Sequence, residues 1–196
     1  ATQNYTTISN TSILTVNQNT SSCSLAINPP TPIIYGTPST AVCTCTNAQV
    51  QANLYRNSTL ANSENNTAFT LPGGTWNYTC NVTSSQNYSS ATNSTNYIVN
   101  TAQVSIDIWL NNLKNSDNSI KYPTVANTTA VINTTGLSFT LYRNGTTVGT
   151  QTGNRTEYGE LLGANVYNFT AYFAGNSNYS AFTRTNYLTV TKGDNP

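Results

Sequence analysis

The chain contains no histidine and no methionine, and charged residues make up only 7% of it. Without histidine, Ser-His-Asp and Cys-His chemistry cannot be assembled, and a metal site that uses imidazole is excluded. A net charge of +1 with no basic run removes the electrostatic footprint that nucleic acid or an anionic membrane requires. No apolar stretch approaches the roughly 20 residues that span a bilayer as a helix. Lysine is missing from the first half altogether. With charge so far below the usual value of roughly 25%, hydroxyls, amides or attached sugars must hold the water. Ala1 in first position, together with these absences, reads as a processed chain or an excerpt, with any signal or anchor lying elsewhere.

What the chain does have is an excess of Asn, Ser and Thr, and an internal repeat. Leu54-Tyr55-Arg56-Asn57 recurs as Leu141-Tyr142-Arg143-Asn144. Running backwards without a gap, Tyr35 falls on Tyr122, Cys43 on Ala130, Cys45 on Ile132 and Ala52 on Phe139. Beyond a four-residue insertion, Leu71 falls on Leu162, Trp76 on Tyr167, Tyr78 on Phe169, Val82 on Phe173 and Asn87-Tyr88 on Asn178-Tyr179. A third copy of the last block opens the chain, because Gln3-Asn4-Tyr5 through Val16-Asn17 overlays Gln86-Asn87-Tyr88 through Val99-Asn100.

Each full repeat consists of short alternating segments broken by Gly, Pro, Asn and Ser, the spacing of a β-sandwich, and none has a helical period. Trp76, Tyr78, Cys80 and Val82 share one strand face, and Tyr167, Phe169, Ala171 and Phe173 keep that phase. Val50, Ala52 and Leu54 match Leu137, Phe139 and Leu141 in the same way, so two cores are specified. The expected organisation is a terminal strand over 1–18, one sandwich over 19–100, a second over 101–192 and a tail over 193–196.

Cys23, Cys43, Cys45 and Cys80 align with Ile106, Ala130, Ile132 and Ala171, all inward positions. They lack the paired spacing of a zinc site, and disulfides in an oxidising compartment fit better than a reactive thiol. Of the three connectivities, Cys43 with Cys80 and Cys23 with Cys45 is favoured, the first as a bridge between the second and sixth strands.

The acceptor pattern for N-glycosylation, Asn-x-Ser/Thr, occurs at Asn4, Asn10, Asn19, Asn57, Asn65, Asn77, Asn81, Asn87, Asn93, Asn127, Asn133, Asn144, Asn154, Asn168 and Asn178. Composition alone would supply roughly nine such matches. Placement adds weight, since Asn77, Asn81, Asn133 and Asn168 are expected on strands in the outward phase. A glycan coat would also keep exposed strand edges from pairing with other chains.

The carboxylates are Glu64, Glu157, Glu160, Asp107, Asp117 and Asp194. Only Glu157 and Glu160 are close in sequence, and they read as solvated charges near the start of a strand rather than as an acid/base pair or a calcium site. Tyr78 and Tyr167 are expected to point inward, whereas Tyr55, Tyr142 and Tyr172 take the outward phase and offer a contact surface for sugar or peptide. No catalytic residue, cofactor or metal ligand is expected.

The blocks Ile34-Tyr35-Gly36-Thr37-Pro38, Leu54-Tyr55-Arg56-Asn57, Trp76-Asn77-Tyr78-Thr79 and Asn87-Tyr88-Ser89 resemble the tandem bacterial-type immunoglobulin-like (Ig-like) repeats of prokaryotic surface proteins. The charge-poor, Asn-, Thr- and Tyr-rich style is similar to that of archaeal secreted proteins, including subunits of glycosylated filaments. Tyr78-x-Cys80 resembles the tyrosine corner of Ig domains, although the third strand lacks their Trp and Phe169 lacks the hydroxyl. The resemblance implies an all-β fold of two tandem Ig-like β-sandwich domains, located extracellularly at a cell surface, that acts as a stalk, spacer, adhesin or filament subunit.

Both repeats already own a last strand, over 88–99 and 179–190, so residues 1–17 are an orphan, with Tyr5, Ile8, Ile13, Leu14 and Val16 as its apolar positions. One expectation is a filament subunit whose orphan strand completes a neighbouring copy head to tail. The alternatives are an excerpt of a long covalent array of repeats and a secreted glycan-binding module. The expected partners are other copies or repeats and covalent N-glycans.

Overall fold

The computed structural model describes residues 4–194. Gln3 of the terminal block and the last two residues of the tail lie outside the described residues. From Cys23 onward the described residues fold into β-strands, with one short 3-10 turn at Asn62–Glu64.

The first repeat contributes β1 (Cys23–Asn28), β2 (Ile33–Ile34), β3 (Ser39–Cys45), β4 (Asn53–Arg56), β5 (Thr59–Leu60), β6 (Ala68–Phe69), β7 (Gly74–Val82) and β8 (Ala91–Asn100). They form two sheets, ordered β1-β3-β6 and β2-β8-β7-β4-β5. β1 stops where Pro29, Pro30 and Pro32 withdraw backbone donors. The chain then continues on the other sheet, with β2 parallel to β8.

The second repeat contributes β9 (Ile106–Leu110), β10 (Leu113–Lys114), β11 (Asn118–Lys121), β12 (Ala126–Ile132), β13 (Thr140–Arg143), β14 (Thr146–Thr147), β15 (Thr150–Thr152), β16 (Arg155–Glu160), β17 (Asn165–Phe173) and β18 (Phe182–Thr191). Its sheets run β10-β9-β12-β16-β15 and β11-β18-β17-β13-β14, and β11 again lies parallel to β18. Both repeats are Ig-like sandwiches.

The period of two explains why these segments pair. Tyr78, Cys80 and Val82 are buried on β7, and Phe169, Ala171 and Phe173 on β17, while their neighbours face outward. Ile106, Ile108 and Leu110 on β9 pack with Ala130, Ile132, Leu141 and Leu188 in the second core. Each such aliphatic side chain contributes about 1.5–3 kcal/mol by leaving water. In the first core Tyr97 is buried with its hydroxyl satisfied, bonded to Ser39 Oγ at 2.8 Å and donating to Pro29 O at 2.8 Å.

The recurrent Leu-Tyr-Arg-Asn block has a local cause at its first and last positions. Leu54 and Leu141 fill the cores. Asn57 and Asn144, at φ 46° and 48°, open the tight turns into β5 and β14. Asn and Gly tolerate this left-handed region best, which is why such turns select them. Asn66, Asn111, Asn112 and Asn115 also hold positive φ, so part of the asparagine excess is turn chemistry.

By proximity the chain forms two compact units. One comprises residues up to Pro29, Ser39–Phe69 and Trp76–Tyr97; the other comprises Pro30–Pro38, Thr70–Thr75 and the chain from Ile98 onward.

One sequence expectation about asparagine placement is corrected, at Asn133, while Asn81 and Asn168 keep the outward phase on their strands but are less exposed than a free surface asparagine. Asn133 lies one residue beyond β12, tied to Ser105 by paired bonds, because Ile132 is the last residue whose pairing continues. Asn81 is half-buried, with its Oδ1 buried and lacking a hydrogen-bond partner. Asn168 is half-buried because its Oδ1 accepts from Asn144 N–H across the neighbouring turn.

Candidate functional site

Residues 4–17 pair with nothing among the described residues, and their apolar side chains lie open: Ile8 is 89% exposed, Leu14 87% and Val16 83%. Tyr5 and Ile13 are equally bare. The repeat alignment places Leu14 and Val16 on Tyr97 and Val99 of β8, and on Leu188 and Val190 of β18. All four counterparts are core residues, at most 3% exposed. The strand expected over 1–18 is not formed among the described residues, because nothing pairs with residues 4–17, which carry the plugs of a sandwich without the sandwich. In both sandwiches the place beside β7 or β17 is already occupied, by β8 and by β18.

The charged residues form clamps. In the first sandwich the Arg56 guanidinium pairs with Glu64 and stands 5.3 Å over the Trp76 ring. The buried Tyr78 hydroxyl donates to the other Glu64 oxygen at 2.7 Å. Burial, and then the bond to Glu64, raise the Tyr78 pKa far above its ordinary value. The tyrosine-corner resemblance is therefore corrected: the hydroxyl serves a carboxylate rather than the backbone.

In the second sandwich Arg143 pairs with Glu160 at 2.6 Å and lies over the rings of Tyr158 and Tyr167. The core partner there is Phe169, and the hydroxyl comes instead from Tyr158 on the neighbouring sheet, bonded to both Arg143 and Glu160. Burial and the Glu160 bond push Tyr158 up to about 12, while the Tyr158 and Arg143 bonds hold Glu160 below the usual carboxylate range. Glu160 lies at the end of β16 rather than near its start.

The other carboxylates are engaged as well. Glu157 pairs with Arg155 at 2.6 Å, Asp107 with Lys114 at 2.8 Å and Asp194 with Lys121 at 2.6 Å, and Asp117 accepts the Tyr187 N–H at 2.8 Å. Partial burial would raise Asp107, but bonds from Asn115 and Lys114 outweigh it and lower its pKa. Every side-chain carboxylate among the described residues thus has a hydrogen-bond or ion-pair partner.

Cys43 is bonded to Cys80, which links the two sheets, and Cys23 to Cys45, its direct cross-strand partner within one sheet. The second bridge therefore lies within one sheet, and only the first crosses the core. Sulfurs of Cys23, Cys45 and Cys80 fall within 4.8 Å of one another, yet each is already bonded, which removes the thiolate a metal would need.

The sequons divide by what their amides do. Asn4, Asn10, Asn19, Asn57, Asn87, Asn127, Asn133 and Asn144 are exposed. Asn77 and Asn93 are also exposed, but their Nδ2 atoms donate to Asn96 Oδ1 and Cys23 O. Asn65 straps Cys43 with both amide atoms, and Asn154 Nδ2 donates to Ile132 O at 3.1 Å. Asn178 is half-buried, with its Oδ1 engaged.

Of the tyrosines, Tyr172 is exposed, whereas Tyr55, Tyr142 and Tyr167 are only half-buried. Tyr55 lines a shallow depression of about 260 Å³ with Ser58, Thr79 and Asn81. Trp109, with Lys114 5.1 Å over its ring, faces outward on β9, and sequence reasoning gave it no role. Its period-two position on an otherwise apolar strand was the available signal.

Fold and sites together define a pair of Ig-like sandwiches preceded by an unpaired segment, residues 4–17. No protein family and no curated protein matches the sequence. Among solved structures the chain is similar to fibronectin(III)-like modules of Clostridium thermocellum CbhA, at 14% identity over 86% of this chain and 95% of that one, with a TM-score of 0.33. It is also similar to a tandem segment of titin, at 11% identity over 89% and 67%, with a TM-score of 0.35. A third is the Bacteroides ovatus protein SGBP-B in complex with a mixed-linkage heptasaccharide, at 10% identity over 86% and 70%, with a TM-score of 0.28. Likeness at this level carries nothing about function.

Proposed function

We propose that the chain is a structural, non-catalytic stretch of an N-glycosylated extracellular filament or surface stalk, of archaeal style, built from Ig-like sandwiches joined head to tail. Residues 4–17 serve as the last strand of a further Ig-like domain. The observation that carries this reading is the exposure of Leu14 and Val16, at 87% and 83%, against counterparts buried in both complete sandwiches. Two apolar plugs left in water forgo about 1.5–3 kcal/mol each, which a receiving core would recover.

The filled places beside β7 and β17 favour a receiving domain outside the two described here. A covalent neighbour in a serial array supplies one directly; a separate chain lacking its last strand supplies one by strand addition. Two disulfides are compatible with an oxidising, extracellular setting.

The test is hydrogen exchange over residues 4–17 in native material. Protection there, lost in the separated 196-residue chain, is the expected result; equal and rapid exchange in both would refute the reading. The polypeptide mass of native material, reduced and freed of sugars, then separates the two routes: 21.1 kDa means strand addition between chains, and a several-fold larger mass means a covalent array.

The depression beside Tyr55 supports a second reading, a glycan-binding module. Loss of polysaccharide retention in Tyr55→Ala and Tyr142→Ala would favour it.

A further inference from the structure

Within the second compact unit, the loop at Asn178-Tyr179 is a filled seat. Ala102 lies along it, its N–H donating to Asn178 O at 2.9 Å while Ser180 N–H donates to Ala102 O at 3.0 Å. The Tyr35 ring meets the Tyr179 ring edge to face at 5.3 Å. Gly73 N–H donates to Asn178 Oδ1 at 3.0 Å. A Cβ on Gly73 would sit 2.0 Å from Ser177 O, so only glycine can approach this closely.

The first unit carries the same loop as Asn87-Tyr88, and there only part of the seat is filled. Asn19 takes the place of Ala102: its N–H donates to Asn87 O at 2.8 Å, and Ser89 N–H donates to Asn19 O at 2.9 Å. Among the described residues nothing stands where the tyrosine ring and the glycine amide stand on the other loop. Asn87 is exposed, and the half-buried Tyr88 has no ring partner.

We propose that Asn87-Tyr88 is a docking seat for a tyrosine ring and a glycine amide presented by the Ig-like domain that residues 4–17 complete. The inference rests on the function proposed above and adds the contact surface to it. Its geometry follows from the linkers. Val16 precedes Asn19 by the same three residues that separate Val99 from Ala102, and both linkers land on the same loop atoms. The domain holding residues 4–17 is therefore tethered beside Asn87-Tyr88 by the connection that, from β8, leads to Asn178-Tyr179.

The second repeat of another copy is a poor occupant. The alignment that sets Leu71 on Leu162 puts Ala164 at the position of Gly73, and its Cβ would strike the loop carbonyl. The occupant must offer glycine there, as the first repeat does.

Tyrosine nitration, mapped by peptide mass spectrometry on native assembly and on the separated 196-residue chain, tests this together with hydrogen exchange over residues 4–17. In the separated chain Tyr88 is expected to react and Tyr179 to be protected. In the assembly Tyr88 should slow by about 3- to 10-fold, the scale of one edge-to-face aromatic pair. Gly73→Ala should speed Tyr179 without affecting Tyr88. Unchanged Tyr88 reactivity in an assembly whose residues 4–17 are protected overturns the seat alone. Unprotected residues 4–17 in the assembly would overturn the proposed function, and the seat with it.

Discussion

Tyr78→Phe removes one oxygen from a fully buried ring and leaves its packing intact. That oxygen donates at 2.7 Å to Glu64, whose side chain is 14% exposed and whose other oxygen holds Arg56. Losing a hydrogen bond to a buried charge costs about 1.5–3 kcal/mol. For a sandwich of this size 1 kcal/mol is worth about 4–8 °C, so its melting temperature should fall by roughly 6–24 °C. Trp76 and Trp109 lie one in each repeat, so a Trp109→Phe background leaves Trp76 as the reporter of the first sandwich. In a cycle with Glu64→Gln the two changes should couple by about 1–2 kcal/mol, because they share one bond. A melting temperature within about 2 °C of the parent, or additive effects, would refute the view that Arg56, Glu64 and Tyr78 are a structural clamp. Lost ligand binding at unchanged stability would mark them as a binding site instead.

Opening Cys43–Cys80 by substituting both cysteines with alanine should cost about 4 kcal/mol, and opening Cys23–Cys45 about 3 kcal/mol, from loops of 37 and 22 residues; denaturant titration checks both. Under limiting reductant the less buried Cys23–Cys45 bridge should open first, read by alkylation and peptide mapping. Tyr158 is raised to about 12, against an unfolded value of about 10. Its contribution is therefore complete below pH 10 and lost as pH rises through the folded value. Glu160 is lowered, so its contribution is present above the unfolded carboxylate value and lost as pH falls through the folded one. The denaturant midpoint of the second sandwich, followed at Trp109, should decline on both sides, and Tyr158→Phe should flatten the alkaline limb. Glycopeptide analysis should find Asn65 and Asn154 bare, because their amide nitrogens are spent on backbone carbonyls, and sugars concentrated on exposed sites such as Asn127 and Asn144.

Much of this fold was legible because its signals are periodic or duplicated. The alignment that set Cys23 on Ile106 and Cys45 on Ile132 reappears as identical pairing, Cys23 opposite Cys45 and Ile106 opposite Ile132. Leu54 lies opposite Cys80 just as Leu141 lies opposite Ala171. What stayed hidden depends on contacts between residues distant in sequence. No spacing rule relates Arg143 to Glu160 and Tyr158, or indicates that the clamp hydroxyl moves from the position of Tyr78 to another strand. Sequons leave a choice open for a related reason: the pattern is the same for an asparagine whose amide is free and for one whose amide bonds the backbone, and Asn65 is one of the latter.

The two sandwiches close their cores by different means. The second closes its core with sheets of five strands each, and Ile106, Ala130, Ile132 and Ala171 meet there at 0% exposure. The first has only β1, β3 and β6 in one sheet, and β6 is two residues long, so fewer ladder bonds hold that sheet together and a smaller face packs on its partner. Cysteines stand at the four corresponding positions, and both bridges anchor β3, the middle strand of the thin sheet. A covalent link persists at any extension short of bond rupture, whereas packing yields at the rate of unfolding, which governs forced opening. Shear between sheets is thus blocked covalently in the first sandwich, which is what the proposed filament or stalk, loaded through residues 4–17, would require.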